Sequence, residues 1–168
     1  MIRKILIGLL VILVIIQFIR PEKNLSNDQT KHIGTLYPIP EDVKQILSVA
    51  CDDCHSNSTR YPWYSNFQPV AWWLNNHVVD GKRHLNLSTL ASRRINQQNH
   101  KMEEIIEMID EGEMPLSSYT LVHGDAKLTK EQKDKITNWA RATMDIIKNK
   151  YPADSLVMPQ RPPGAPGG

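Results

Sequence analysis

The chain has 168 residues, 20 Lys+Arg against 18 Asp+Glu, a formal charge of +2, 40% hydrophobic residues and two cysteines. That length suits one globular domain. The near-neutral balance, with no basic stripe interleaved with aromatics, excludes a nucleic-acid-binding footprint, and two cysteines cannot build a disulfide scaffold.

At the N-terminus, Arg3 and Lys4 precede an uninterrupted apolar run from Ile5 to Ile16, followed by Gln17, Phe18, Ile19 and Arg20. Such a basic start and apolar run reads as an export signal. The run is shorter than the roughly 17–25 residues a spanning helix usually needs. No small-x-small cleavage site follows it, however, and Arg20-Pro21-Glu22-Lys23-Asn24 suits a signal peptidase poorly. Residues 1–20 are therefore expected to be an uncleaved signal anchor. Arg3, Lys4 and Arg20 would snorkel to the interfaces, and the leading positive charge would keep the N-terminus cytoplasmic. The expected location is the cytoplasmic membrane, single-pass, with the C-terminal domain on the periplasmic side. Residues 21–36 are polar and aperiodic and read as a tether.

From 37 to 150 the pattern is helical, with no convincing strand alternation. A first helix opens at Pro40, carries Val43, Ile46, Leu47 and Ala50 at i, i+3, i+4, i+7, and ends on Cys51. A second spans about 69–79, with Val70, Trp73, Leu74 and His77 on one face and Gly81 as its stop. A third runs from about 93 to 111 through Met102, Ile105, Ile106 and Ile109, closed by Gly112. The fourth begins at Thr129, with Gln132 completing a capping box, and buries Ile136, Trp139, Ala140, Thr143 and Ile147. Residues 151–168, rich in Pro and Gly, read as a disordered tail.

The most specific signal is Cys51-Asp52-Asp53-Cys54-His55. Two thiols three residues apart can form thioethers to the two vinyl groups of one porphyrin, and the next residue sets an imidazole under the iron. One covalent haem c is the expected cofactor, with His55 as proximal iron ligand. The competing uses of these residues fit less well. A redox dithiol wants a preceding strand, a zinc site lacks a second ligand pair, and a disulfide across two residues is strained.

The distal position has three candidates. Met114 leads, because it lies outside the helical period between Glu113 and Pro115, and a thioether there raises the potential and suits electron transfer. His77, on an apolar face, is the alternative, and His123 comes third. His32, His84 and His100 read as ordinary solvent-facing or hydrogen-bonding histidines. Trp63 and Trp73 are candidate walls of the cofactor pocket, against the plainer reading of Trp73 and Trp139 as core. Lys82-Arg83-His84 can be weighed as a propionate partner or as a solvated helix end.

The run Cys51–Asn57, Thr59, Tyr61-Pro62-Trp63-Tyr64, Pro69–Trp73, His77, Gly81-Lys82, Asn86, Ser88 and Gly112-Glu113-Met114-Pro115 with Tyr119 and His123 resembles the short bacterial haem-binding domain family over about residues 37–145. The resemblance implies an all-α, cytochrome-c-like fold behind a membrane anchor, thioethers at Cys51 and Cys54, and axial ligation by His55. It implies no substrate or partner. The expected function is a mono-haem electron carrier, not an enzyme, that exchanges electrons with a redox partner protein. The alternative is a haem enzyme or gas sensor with an open distal position, in which His77 acts as acid and base. A haem that merely staples a binding module is a third reading.

Overall fold

A computed structural model of the chain describes residues 1–159. Among these, every regular element is helical, in agreement with the all-α expectation. Helix α1 spans Ile2–Ile16, α2 Glu41–Ala50, α3 Asp52–His55, α4 Val70–His84, α5 Ile95–Asp110, α6 Ser117–Thr120 and α7 Lys130–Lys150. Short 3-10 turns fill several of the connections.

The main packing is α5 against α7, with α2 leaning on α7. Their periodic residues meet in one core containing Val43, Leu47, Met102, Ile109, Ile136, Trp139 and Ile147. Long apolar side chains repeating at helical spacing leave the chain no other way to remove them from water. The capping box at Thr129 forms as read. The Gln132 amide donates to Thr129 Oγ1 at 3.2 Å, and the Thr129 amide to Gln132 Oε1 at 2.9 Å. Gly112, at φ +77°, ends α5 in the left-handed conformation that glycine tolerates. The chain then folds back, so that the Met114 amide reaches Met108 O at 3.1 Å.

Three expectations are corrected. The polar segment 21–36 is not a free tether. Asn24 Nδ2 donates to Ser56 O and to Thr59 Oγ1, both at 2.9 Å, and Ile33 is fully buried in the core. Polar side chains hold this segment by hydrogen bonds, which hydropathy does not register. Secondly, α4 does not stop at Gly81 but continues to His84, and its buried stripe is Ala71, Leu74 and Val78. Val70 and Trp73 are exposed, with Trp73 at 46%. Thirdly, residues 151–157 are not a loose tail. Tyr151 and Leu156 pack on the core, and Asn96 Nδ2 donates to Val157 O at 3.1 Å. The rest of the expected tail, 160–168, lies outside the described residues.

The expected anchor is a 15-residue helix with no buried residue. Among the described residues, no helix is long and apolar enough to cross a membrane.

Candidate functional site

The cysteine motif sits where α2 hands over to α3. The Cys51 amide still bonds back to Leu47 O at 2.9 Å, and the Cys51 carbonyl accepts from Cys54 N at 3.1 Å and His55 N at 2.9 Å. One tight turn therefore carries both thiols and the imidazole. The cysteines are free and partly buried.

His55 is oriented by α4. Its Nδ1 lies 3.0 Å from Gly81 O and 3.0 Å from Leu85 O. Both partners are carbonyls, so Nδ1 carries the proton and donates, and the Nε2 lone pair is left for a ligand. Burial lowers the imidazole pKa, against the opposing effect of the bonds to Leu85 and Gly81, and so favours the neutral, ligating form. The loop beyond is fixed as well, because Leu87 N donates to His55 O at 2.8 Å. Gly81 makes this approach possible. A Cβ there would stand 2.7 Å from Cys54 O and 3.0 Å from Cys54 Cβ. The glycine expected as a helix stop is instead the point of contact between α3 and α4.

The surroundings of the thiols favour the protonated form, not the activated thiolate of a redox dithiol. Burial pushes Cys51 up to about 12, aided by Asp52 and Cys54. Burial, with Asp53 adding, pushes Cys54 up to about 11. Nucleophilic cysteine pairs show the opposite shift. Among the described residues, no group of three or more His, Cys, Asp or Glu side chains converges as an ion cage, so the zinc alternative finds no further ligands.

Sequence reasoning passed over the residue inside the motif that locks it. Asp53 is buried at 7% exposure. Its Oδ1 accepts from Arg60 N at 2.9 Å and Arg60 Nε at 3.2 Å. Its Oδ2 accepts from Tyr119 OH at 2.7 Å, and its carbonyl from Thr59 Oγ1 at 2.7 Å. Tyr119 stacks on His123, with centroids 4.2 Å apart, and His123 Nε2 lies 3.3 Å from Tyr64 OH. Burial, with the bond to Asp53, raises the Tyr119 phenol and keeps it a donor. An acid within the motif and a tyrosine 66 positions later give no local pattern, so only the fold pairs them.

The remaining candidates are placed as follows. Met114 is partly buried and packs on the core that Cys51 also touches. His77 is half-buried; its Nδ1 lies 2.8 Å from Trp73 O, and its ring lies 4.2 Å from that of Trp73. Trp63 is 76% exposed, and its ring neighbours are Tyr64 and Phe67. His123 is occupied by the tyrosine network. Lys82 Nζ donates to Asn24 Oδ1 at 2.6 Å and Arg83 pairs with Asp80, so both cations already have partners on the domain. His100 pairs with Glu103 and Glu104, and His32 accepts from Gly34 N at 3.0 Å. Trp139 is core, at 4% exposure.

A haem fits these residues: two free, partly buried thiols on one turn, and a neutral imidazole whose second nitrogen is held by backbone carbonyls in the way ligating histidines require. The haem-binding domain family matches the chain over residues 11–142. The chain belongs to this family and is a haem-binding protein. No curated protein and no solved structure matches it.

Proposed function

We propose that the protein is a membrane-anchored c-type mono-haem electron carrier, its haem joined to Cys51 and Cys54 and its iron held between His55 and Met114. The observation that carries this reading is the His55 imidazole, aimed by Gly81 O and Leu85 O so that Nε2 is left free beside the two thiols. The haem supplies one-electron redox chemistry. The chain's own residues orient the imidazole, keep the motif turn rigid through Asp53, and hold the Met114 loop on the core through Gly112. A soft thioether opposite His55 suits transfer at a raised potential.

In this reading α1 anchors the chain in the cytoplasmic membrane with the domain on the periplasmic side, where a redox partner protein meets it. The sequence of α1 supports this, being apolar from Ile5 to Ile16 behind Arg3 and Lys4, as does the helix having no buried residue. One observation favours a second reading. His77 Nδ1 is bonded to its own helix, which frees Nε2 for the open-site enzyme or sensor alternative.

Absorption spectra of the full chain, expressed with haem-attachment machinery and recorded with and without carbon monoxide, separate the two. A covalent c-type spectrum indifferent to carbon monoxide is expected, with Met114→Ala converting it to a binding form. Ready binding by the unmutated protein sinks the carrier reading. Binding that His77→Ala then alters identifies the open site. No covalent haem at all removes both readings.

A further inference from the structure

The geometry points to a lipid-binding face on the domain itself, formed by Phe18, Trp63, Phe67 and Val70, that sits in the headgroup layer of the membrane. This inference rests on the reading of α1 as an anchor. These four side chains are 84%, 76%, 56% and 38% exposed, a concentration of aromatic surface unusual for a solvated loop.

Their position relative to α1 is fixed. Gln17 Nε2 donates to Gln68 O at 3.3 Å, and Gln68 N donates back to Gln17 Oε1 at 2.9 Å. Gln68 Nε2 and Trp72 Nε1 both donate to Ile19 O, at 2.8 and 3.0 Å. Gln68 is itself buried. Phe67 flanks this joint in sequence, Val70 follows two residues later, and the Trp63 ring meets Phe67 edge-on at 6.1 Å. The exposed aromatics thus surround the point where the apolar helix leaves the domain.

The length of α1 gives a second, independent reason. Fifteen residues at a rise of 1.5 Å make about 22 Å, against a hydrocarbon core of about 30 Å. A helix that short draws the chain following it toward the bilayer instead of holding it clear. The groups drawn in are Phe18, Ile19 and the loop sewn to them. Indole rings favour this depth, and Phe joins Trp on faces that bury at the headgroup–acyl boundary. Arg20 and Lys23 lie at the same joint, where lipid phosphates would meet positive charge; Arg20 Nε donates to Gln17 O at 3.3 Å, and Lys23 donates to Asn66 Oδ1 at 3.2 Å and stands 5.0 Å over the Tyr61 ring. Glu22 lies between them.

The test uses the full holoprotein, reduced so that low-spin iron is diamagnetic, labelled with fluorotryptophan and inserted into nanodiscs of phosphatidylcholine and phosphatidylglycerol. Fluorine spectra are recorded with and without a lipid whose headgroup carries a Gd(III)-chelate spin label, which the reductant leaves paramagnetic, and each tryptophan is assigned by replacement with Phe. The Trp63 signal is expected to broaden several-fold more than that of buried Trp139, and Phe67→Glu should reduce this broadening. Incorporation into discs with Trp63 no broader than Trp139 overturns the lipid face while leaving the anchor intact. A Trp63 signal that moves with haem oxidation state and ignores the spin label makes the ring a wall of the cofactor pocket and also overturns it. Failure of the chain to enter discs removes the anchor and the lipid face together.

Discussion

Replacing Gly81 by alanine sets two effects against each other. In an exposed helix interior, Gly→Ala stabilises by about 1 kcal/mol through backbone entropy. Here the added Cβ would meet Cys54 O at 2.7 Å, Cys54 Cβ at 3.0 Å and Cys54 C at 3.2 Å. Two of these three atoms are backbone, so no rotamer change relieves the contact and α3 must move away from α4. Overpacking of this kind costs about 1–3 kcal/mol. The shift also pulls Gly81 O from His55 Nδ1, a further 0.5–1.5 kcal/mol on the usual scale of about 1 kcal/mol per hydrogen bond. The clash and the lost bond together outweigh the propensity gain, and the net is about 1–3 kcal/mol of destabilisation. For a chain of this size that lowers the melting midpoint by about 3–10 °C. Thermal unfolding of the full chain in detergent, followed by far-ultraviolet dichroism, measures it. Gly124→Ala is the control, since a Cβ there meets nothing within 4 Å. A Gly81→Ala protein as stable as its parent, or more so, refutes the claim that this glycine is needed for the approach of α3 to α4.

Tyr119→Phe removes the hydroxyl from buried Asp53 and keeps the ring; a loss of about 1.5–3 kcal/mol is expected from urea unfolding, the range for a hydrogen bond to a charged group. Burial, with Asp53 adding, raises Asp52 from 3.8 to about 6 in the folded chain. Between those two values the folded state binds the extra proton, so this carboxyl's contribution to stability is present below about 4 and is lost as pH rises through about 6. Asp52→Asn should flatten that part of the stability–pH curve, and an unchanged slope in urea titrations at a series of pH values rules this origin out. Cys51→Ser and Cys54→Ser should each keep haem through the one remaining thioether, resistant to acid acetone, and only the double variant should release it; retention by the double variant, or release by the unmutated protein, contradicts the thioethers.

Much of the helical frame is legible because it rests on period alone. Val43, Ile46 and Leu47, Met102 and Ile109, and Ile136, Trp139 and Ile147 all occupy the buried faces that their spacing predicts. In α4 the method fails for a physical reason. The helix has apolar residues on two faces, and periodicity selects the stripe of Val70, Trp73, Leu74 and His77, of which the core takes only Leu74, together with Ala71 and Val78 from the neighbouring face. The cofactor motif is readable because its chemistry fixes its spacing. What aims the histidine is not readable: two backbone carbonyls 26 and 30 residues away, one in the last turn of α4 and one just past its end, carry no side-chain signature. Nor does Asn24, whose side chain donates to Ser56 O and Thr59 Oγ1 after the motif and accepts from Lys82 on α4.

The lock on Asp53 also has a consequence in time. Asp53 is held by Arg60, seven residues on, and by Tyr119, 66 residues on. In the proposed topology the N-terminus stays in the cytoplasm and the chain after α1 crosses in order, so Cys51, Cys54 and His55 emerge well before Tyr119 follows. Until that ring arrives, Asp53 has only its near partners, Thr59 and Arg60, and the motif turn is held less firmly. With the proposed covalent attachment, the interval in which haem can be joined is therefore set by the spacing between the motif and its last clasp. Shortening the 54–118 segment, or delaying Tyr119 with a slow-translocating insert, would then act on cofactor loading without touching a single residue of the site.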